Sequence, residues 1–254
     1  MKYQEMSARS LADVDRHHCL VVIPTAAVEQ HGPHLPTGTD TIISTAIAEE
    51  LESRLSSDIL LVPTLWFGAS SHHLRLGATF DLSLNHYMAV VSDLARSLLD
   101  DGFKRVLFLN GHGGNTDPLR VAVRNLQPDY LDALLMVGNY WAQSDELVES
   151  VLEGDPRQLG HACELETSLI MHLRPELVDA SQLSEAGVLI PDVVEGMYLC
   201  RDLKQRTLHG FTGNPYLATA EKGKRLFDGI VEQLTQTAEH LRQQPLGTTY
   251  QDFV

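Results

Sequence analysis

Residues 105–126 read RVLFLNGHGGNTDPLRVAVRNL and contain, in order, the pattern of a strand, a turn and a helix. RVLFLN (105–110) is a nearly continuous apolar run, as expected for a strand that is buried on both faces of a sheet. The glycine-rich turn GHGGN follows, and the spacing then predicts a helix from Thr116 to Leu126. This order is typical of a βα unit, the building block of parallel sheets.

The same alternation continues on both sides of this segment. Short apolar runs predict further strands at 19–24, 59–63 and 131–138. Apolar residues at helical spacing predict further helices at 39–55, 83–102, 161–173 and about 217–241. The sequence therefore predicts an α/β fold with a mostly parallel central sheet and helices on both faces. No linker or repeat divides the chain, so we expect one domain over residues 1–254.

The composition excludes several classes of protein. The chain has 34 acidic and 19 basic residues, a net charge of -15, so its field repels phosphate backbones and a nucleic-acid partner is not expected. No signal-peptide pattern and no apolar run of roughly 18 to 20 residues is present, so we expect a soluble protein without a membrane partner. The three cysteines form no CxxC pair, which fits a reducing compartment and predicts a cytoplasmic location.

The segment EQHGPHLPTGTD (29–40) is the first candidate site, and it directly follows the strand predicted at 19–24. Residues two apart in an extended chain point the same way, so Glu29 and His31 are expected to project together. The glycines and prolines that follow allow the chain to fold back and bring Asp40 to them. Each side chain alone is better explained as part of a solvated loop, but the three together indicate a metal site. His34 is predicted to orient Glu29 or Asp40 by a hydrogen bond, with direct ligation of a metal as the alternative.

His112 lies in the turn that follows the predicted strand 105–110. Ligands gather at the carboxyl ends of strands in open α/β sheets, so His112 is expected to face the active crevice. The turn lacks the lysine of a P-loop and the spacing of a dinucleotide fingerprint, which disfavours a nucleotide-binding loop. Asn115 in the same turn and His73 in a loop rich in Gly, Ser and His are further candidate pocket residues.

HACELETS (161–168) is the third candidate segment, and it is predicted to open a helix. On a regular helix His161 and Glu164 share a face by their i, i+3 spacing. Glu166 lies about 200° around the helix from Glu164, so both glutamates cannot enter one pocket. Glu164 is chosen because it pairs with His161, and Glu166 is kept as a secondary pocket candidate. The alternative is a charged first turn that interacts favourably with the helix dipole.

These three segments together resemble the creatininase (creatinine amidohydrolase) family. The matching stretches are 29–40, 109–115 and 161–168, in the order found in the family, with weaker similarity at 68–83 and 214–224. The resemblance implies a three-layer αβα sandwich and a homo-oligomer that is often a hexamer. It also implies a two-metal site that hydrolyses C–N bonds of cyclic or linear amides.

Carried over residue by residue, the resemblance implies two sets of metal ligands that share Asp40. One set combines Asp40 with Glu29 and His112, and the other combines it with His31 and Glu164. His161 matches the catalytic histidine of the family. Independently of the resemblance, a set of Glu, His and Asp ligands without a thiolate suits two divalent ions such as Zn or Mn, and Fe(II) is also compatible.

The chain departs from creatininase proper in ways that bear on the substrate. Creatininase resembles GHYEN where this chain has GHGGN, so the Glu and the aromatic residue of that motif are absent at Gly114 and Gly113. The stretch 76–79 resembles the FPGT of the family only weakly, and Cys163 stands where glycine is usual. These departures weaken the case for creatinine itself.

The sequence therefore predicts a metal-dependent amidohydrolase that acts on a small amide, either creatinine or a related amide or formamide. The alternative is a peptidase or deformylase of the same family in cofactor maturation, because relatives with the GHGGN form include both. A non-catalytic metal-binding assembly protein is the contrasting class, and the retention of five ligands and His161 disfavours it. A phosphoesterase is disfavoured because the three motifs contain no Lys or Arg to meet phosphate.

Overall fold

The computed structural model describes residues 1–143, 145–154, 159–185, 187–189, 194 and 196–247. Within these residues one parallel sheet has the order β2-β1-β3-β4. Its strands are β1 (Leu20–Thr25), β2 (Ile59–Leu61), β3 (Arg105–Asn110) and β4 (Leu134–Asn139). The predicted α/β fold class is confirmed, and the strand 105–110 has the predicted bounds. The single domain over 1–254 stays a prediction, because its last residues lie outside the described ranges.

Eight α-helices occur in the described residues. They are α1 (Ala8–Ala12), α2 (Thr39–Arg54), α3 (Leu84–Asp100), α4 (Thr116–Leu126), α5 (Asp145–Val151), α6 (Glu164–Leu173), α7 (Leu203–Arg206) and α8 (Ala220–Gln243). Helix α4 has the predicted bounds, and α2, α3 and α8 differ from prediction by a few residues. The short helices α1, α5 and α7 were not foreseen. No helix in the described part of the chain is long and apolar enough to cross a bilayer.

The sheet is buried on both faces because successive strand side chains enter two different apolar cores. Leu20 and Val22 of β1 pack in one core with residues of α2, α6 and α8. Val21 and Ile23 pack in the other core with residues of α3 and α4. This alternation between two covered faces explains why the strands are apolar throughout, and it produces the three-layer αβα sandwich.

The strand order reverses at β1: β2 is added on one side of it, and β3 and β4 are added on the other side. This reversal creates the crevice of the fold. Helix α2 covers one face on the way from β1 to its neighbour β2, and α3 covers the other face on the way back to β3. The chain that leaves β3 forms α4 on the same face as α3, so the connections after the carboxyl ends of β1 and β3 diverge to opposite faces. Such a switch point leaves a gap at the carboxyl ends of the two strands, where open α/β sheets bind their ligands.

Helices α6 and α8 approach each other closely at a glycine. A Cβ atom at Gly223 would overlap the backbone carbonyl oxygen of Ser168. A backbone oxygen cannot rotate away as a side chain can, so the two helices need glycine at this position. The distance between these helices matters for function, because α6 carries part of the site described below.

We expect Gly223→Ala to destabilise the fold by about 1–3 kcal/mol through overpacking, even though alanine favours a helix by about 1 kcal/mol over glycine. Gly229→Ala in the same helix is the matched control, because its new Cβ would meet only the end of the flexible Leu147 side chain. Urea unfolding of both variants measures the difference. Equal stability of the two variants would contradict the close approach of α6 and α8.

Candidate metal centre and active site

Acidic side chains and histidines from four segments converge at the carboxyl ends of β1 and β3. They are Glu29 and His31 after β1, Asp40 in the first turn of α2, His112 after β3, and Glu166 in the first turn of α6. Asp40 is 2% exposed, and Glu29, His31 and His112 are also buried. Glu166 is slightly more exposed than these four. The predicted convergence of the first two motifs is therefore present in the structure.

Asp40 lies at the centre of this cluster. Its Oδ1 atom is 3.0 Å from His31 Nε2, and its Oδ2 atom is 3.1 Å from His112 Nδ1. Glu29 Oε1 is 3.2 Å from the same His112 nitrogen, and Glu166 Oε1 is 3.9 Å from His31 Nε2. Asp40 thus belongs to two overlapping groups of potential ligands, one with Glu29 and His112 and the other with His31 and Glu166.

The two histidines of the cluster each turn one ring nitrogen towards it and the other towards a backbone carbonyl. His31 Nδ1 lies 3.1 Å from the backbone oxygen of Glu29, and His112 Nε2 lies 3.3 Å from the backbone oxygen of Ala69. A carbonyl oxygen only accepts, so each of these nitrogens donates and carries the proton of the neutral ring. In the neutral ring that binds a metal, the lone pairs of His31 Nε2 and His112 Nδ1 would therefore face Asp40, the arrangement found in metal sites with a fixed histidine tautomer.

Several buried polar atoms of this cluster have no aligned hydrogen-bond partner among the described residues. They are both carboxylate oxygens of Glu29, Asp40 Oδ2 and His31 Nε2. Buried polar atoms are otherwise almost always paired, so such a concentration requires an explanation. A divalent cation fits these donors, because oxygen and imidazole ligands without a thiolate suit Zn, Mn or Fe(II).

The electrostatics of the metal-free protein agree with a cation site. Burial acts to lower the pKa of His31, but Asp40 and the other carboxylates outweigh it and raise that pKa to about 9. The pKa of His112 is raised well above its usual value in the same way, against burial, chiefly by Glu29 and Asp40. Burial raises the pKa of Glu166 to about 7. Bound protons thus offset negative charge that a cation would otherwise neutralise.

The choice of Glu164 over Glu166 is wrong, because helix α6 begins later than predicted. Cys163 is the N-cap, so His161 lies outside the helix and the i, i+3 relation that paired it with Glu164 does not exist. Glu166 Oε2 accepts a hydrogen bond of 3.3 Å from the Cys163 amide, which leaves Oε1 facing His31. The capping box therefore aims Glu166 into the cluster.

Glu164 is buried away from the cluster, where its carboxylate bonds to residues of other segments. Its carboxylate accepts hydrogen bonds from Lys222 Nζ at 2.6 Å and from the Gly154 amide at 2.9 Å. Lys222 also donates to the Leu217 carbonyl at 2.7 Å. Glu164 thus connects the start of α6 with α8 and with the segment that precedes His161, and it is no metal-ligand candidate.

His161 reaches the cluster from the segment before α6. Its Nε2 atom donates to the Gln30 backbone oxygen at 2.6 Å, so its Nδ1 atom carries the lone pair and lies 3.6 Å from Glu29 Oε1. Burial holds the pKa of His161 well below its usual value. The ring is therefore neutral, with a basic nitrogen that faces the carboxylates.

Gln30 and His73 form further polar contacts next to Glu29 and His161. The Gln30 side-chain amide donates to the Gly210 carbonyl at 2.8 Å and contacts His73 Nδ1 at 3.1 Å. His73 therefore keeps its proton on Nε2, which lies 3.4 Å from Glu29 Oε1. His73 was a candidate from sequence, whereas Gln30 was missed. Its partners are distant in the chain, and no local pattern identifies them.

The side chains of the two remaining candidates, Asn115 and His34, form hydrogen bonds with backbone groups. Asn115 donates from Nδ2 to the Ala26 carbonyl at 3.0 Å and accepts from the Ala69 amide at 2.9 Å, which joins the loops around His112. The predicted role of His34 is wrong: its Nε2 atom lies 3.1 Å from the Ala162 carbonyl, and it binds neither Glu29 nor Asp40.

A cavity of about 840 Å³ opens onto the cluster. Its walls include Glu29, Asp40 and His112, together with Tyr140 and Trp141. Part of the wall is formed by residues 197–201, between β4 and α7 in the chain order. The metal-ligand candidates therefore face a space with room for a substrate, of the size expected for ligand pockets.

The two glutamates of α6 should affect stability in opposite ways in metal-free protein. The folded-state pKa of Glu166 is raised from 4.5 to about 7, so its contribution to stability is full below about pH 4.5 and is lost as the pH rises through about 7. At pH 8 Glu166→Gln should therefore be at least as stable as the wild type. Glu164→Gln should lose about 1–3 kcal/mol, because it weakens charged hydrogen bonds to Lys222 and the backbone.

Urea unfolding with a chelator present measures both variants. Glutamine still accepts a hydrogen bond at the capping position, so the cap of α6 is preserved in Glu166→Gln. Greater destabilisation by Glu166→Gln than by Glu164→Gln would contradict the assignment of the two side chains.

The family and its relatives can now be compared with this geometry. The sequence model of the creatininase family, described as creatinine amidohydrolase, matches residues 4–238. The chain is 31% identical over 240 residues to a mycofactocin precursor peptide peptidase from Mycobacterium tuberculosis, covering 89% of this chain and 87% of that protein. It is 28% identical over 200 residues to a creatinine amidohydrolase from Pseudomonas putida, covering 72% of this chain and 74% of that protein.

Solved structures share the fold over nearly the whole chain. A candidate creatinine amidohydrolase from Bacteroides fragilis aligns with a TM-score of 0.81 and 26% identity, over 99% of this chain and 98% of that one. A manganese creatininase and a Zn-Zn type creatininase mutant each align over 96% of this chain, and over 99% and 98% of their own, with a TM-score of 0.79. Their identities are 23% and 24%. The chain therefore belongs to the creatininase family.

Proposed function

We propose that this chain is a dinuclear metal-dependent hydrolase of amide C–N bonds. The observation that carries the proposal is the cluster around Asp40 of buried ligand atoms that have no hydrogen-bond partner within the described ranges. One ion would be held by Glu29, Asp40 and His112, and the other by His31, Asp40 and Glu166. Zn and Mn suit these ligands, and the creatininases that share the fold include a manganese form and a Zn-Zn form.

Bound divalent ions supply Lewis acidity, which polarises a carbonyl oxygen and lowers the pKa of a coordinated water from about 15.7 towards about 7. The carboxylates of Glu29, Asp40 and Glu166 supply the negative charge that holds such ions. The backbone carbonyls of Glu29 and Ala69 hold the protons of His31 and His112 away from the site. These residues are therefore arranged for metal binding before any ion arrives.

His161 moves the proton in this proposal. Its Nε2 proton is held by the Gln30 carbonyl, so only Nδ1 is available to accept a proton from the attacking water. The protonated ring then donates from Nδ1 to the departing nitrogen, since an amine is a poor leaving group without protonation. Donation to the leaving nitrogen returns the ring to its neutral form after each turnover.

The cavity favours a substrate larger than creatinine. Its volume of about 840 Å³ leaves room for more than creatinine, which is a single small ring. The cavity is lined by the metal-ligand candidates and also by Met197 and Tyr198, so a linear amide bound at the cluster could contact side chains outside it. A short peptide is the substrate class that this space and the similarity to the Mycobacterium tuberculosis peptidase support best.

Assembly and location are also carried into this proposal from the sequence. The family resemblance implies a homo-oligomer that is often a hexamer. The cysteine pattern predicts a cytoplasmic location for the proposed enzyme. Light scattering of the purified protein measures the first, and fractionation of the source cells measures the second.

We expect metal binding and turnover to separate between variants. His112→Ala and Glu166→Gln should each bind metal at least about 10- to 100-fold more weakly than the wild type. Loss of a residue that only hydrogen-bonds to a ligand already has an effect of this size, and loss of a ligand should have a larger one. His161→Ala should keep its metal and lose about 10²–10⁴-fold in kcat, the usual contribution of a positioned acid and base. Metal analysis after dialysis and an amine-release assay measure the two effects.

Glu164→Gln is the matched control, because it changes the same functional group on the same helix outside the cluster. It should retain the metal content of the wild type. Full activity of His112→Ala after chelation would contradict the proposed centre, and loss of metal from His161→Ala would make His161 a ligand instead.

We expect the metal-loaded protein to hydrolyse short peptides faster than formamides or creatinine, as judged by kcat/KM. The physical reason is that a longer amide fills more of the cavity and gains more binding free energy in the transition state. A phosphatase assay belongs beside the panel, because Arg201 and Arg206 line the same cavity.

Creatinine hydrolysis faster than any peptide would contradict the substrate class while leaving the metal centre intact. Phosphate release without amine release would contradict the proposed reaction itself.

A further inference from the structure

We infer that His34 is a positioning residue that holds a strained joint between His161 and helix α6, and that it thereby aims His161 at the metal centre. The inference rests on the proposed function for its kinetic measurements. Its structural measurement is independent of any activity.

Ala162 is the strained joint. Its φ of 49° lies in the left-handed region, which is unfavourable for a residue with a Cβ atom, and its side chain is fully buried. His161 precedes it directly, and Cys163, the N-cap of α6, follows it directly. The conformation of this one residue therefore sets the orientation of His161 relative to the helix that carries Glu166.

His34 donates the hydrogen bond that holds the joint. Its Nε2 atom lies 3.1 Å from the Ala162 carbonyl oxygen and 3.2 Å from Thr167 Oγ1 in α6. The carbonyl can only accept, so the ring proton is on Nε2. His34 Nδ1 is buried without a hydrogen-bond partner in the described parts of the chain. One donor of this ring therefore connects the strained residue to the helix.

The His34 ring is itself held in place, so it can act as a fixed support. It is 1% exposed and packs edge-on against Phe211, with ring centroids 5.1 Å apart. Burial lowers the pKa of His34 to about 4, so the ring stays neutral with its single proton. Gly32 makes room for this packing, because a Cβ there would approach both Phe211 and His34 within about 3 Å.

His161 is held on its other side by separate contacts. Its amide donates to Thr212 Oγ1 at 2.8 Å, and its carbonyl accepts from the Thr212 amide at 2.8 Å. These bonds fix the backbone before the joint, and His34 fixes the carbonyl after it. Without His34 the strain at Ala162 can relax by rotation, and the His161 ring would then leave the Gln30 carbonyl.

The test compares His34→Leu, which fills much of the space without a donor, with His34→Gln, whose amide nitrogen can take the place of Nε2. We expect His34→Leu to lower kcat by about 10- to 100-fold, because small displacements of a catalytic group have effects of this size. Its KM and metal content should stay near the wild-type values. His34→Gln should restore most of the lost kcat.

Ala162→Gly in the His34→Leu background provides a second measurement. Glycine adopts a positive φ without strain, so the joint should need less support and part of the lost kcat should return. Crystal structures of the His34 variants measure the joint directly. In His34→Leu we expect φ of residue 162 to leave the left-handed region and the hydrogen bond of His161 to the Gln30 carbonyl to be lost.

The inference is overturned if His34→Leu keeps its kcat, if His34→Leu and His34→Gln lose kcat equally, or if Ala162 keeps its positive φ without His34. A wild-type protein that hydrolyses no amide would instead overturn the proposed function. The crystal structures would still decide whether His34 holds the joint.

Discussion

The structure depends on one arrangement: three imidazole rings, each with one nitrogen that donates to a backbone carbonyl and the other nitrogen facing buried carboxylates. His31, His112 and His161 donate to the carbonyls of Glu29, Ala69 and Gln30, respectively. Both oxygens of Glu29 and Asp40 Oδ2, which face these rings, are buried without a hydrogen-bond partner among the residues that the structure describes. Such a set of atoms is costly to bury unless positive charge is added. The buried, unsatisfied carboxylates therefore destabilise the metal-free fold, and the same carboxylates would bind the proposed metal ions.

The fold places these groups by its topology rather than by a local motif. The connections after β1 and β3 leave for opposite faces of the sheet, so the loops that carry His31 and His112 border the same crevice. Helix α2 brings Asp40 between them, and α6 brings Glu166 through its N-terminal cap. Close packing of α6 on α8 at Gly223 then fixes the depth of Glu166 relative to the sheet.

The sequence predicted the sheet and most of the cluster because both follow from periodic patterns. Strand β3 is a clean apolar run, and the i, i+2 spacing of Glu29 and His31 predicted that their side chains would lie together, as they do. The prediction failed at 161–173, where a regular helix was assumed to start three residues early. The pattern Cys163-x-x-Glu166 marks the true start, but cysteine is not among the usual capping residues. Gln30 and Lys222 were missed because their partners lie far away in the chain.

Anomalous diffraction from crystals grown with manganese tests the central claim most directly, because it locates the ions and their ligands without reference to a substrate. The account predicts two manganese peaks that share Asp40, one contacted by Glu29 and His112 and the other by His31 and Glu166, with Glu164 still bound to Lys222. Absence of manganese from this cluster, or a peak bound by Glu164 in place of Glu166, would contradict it.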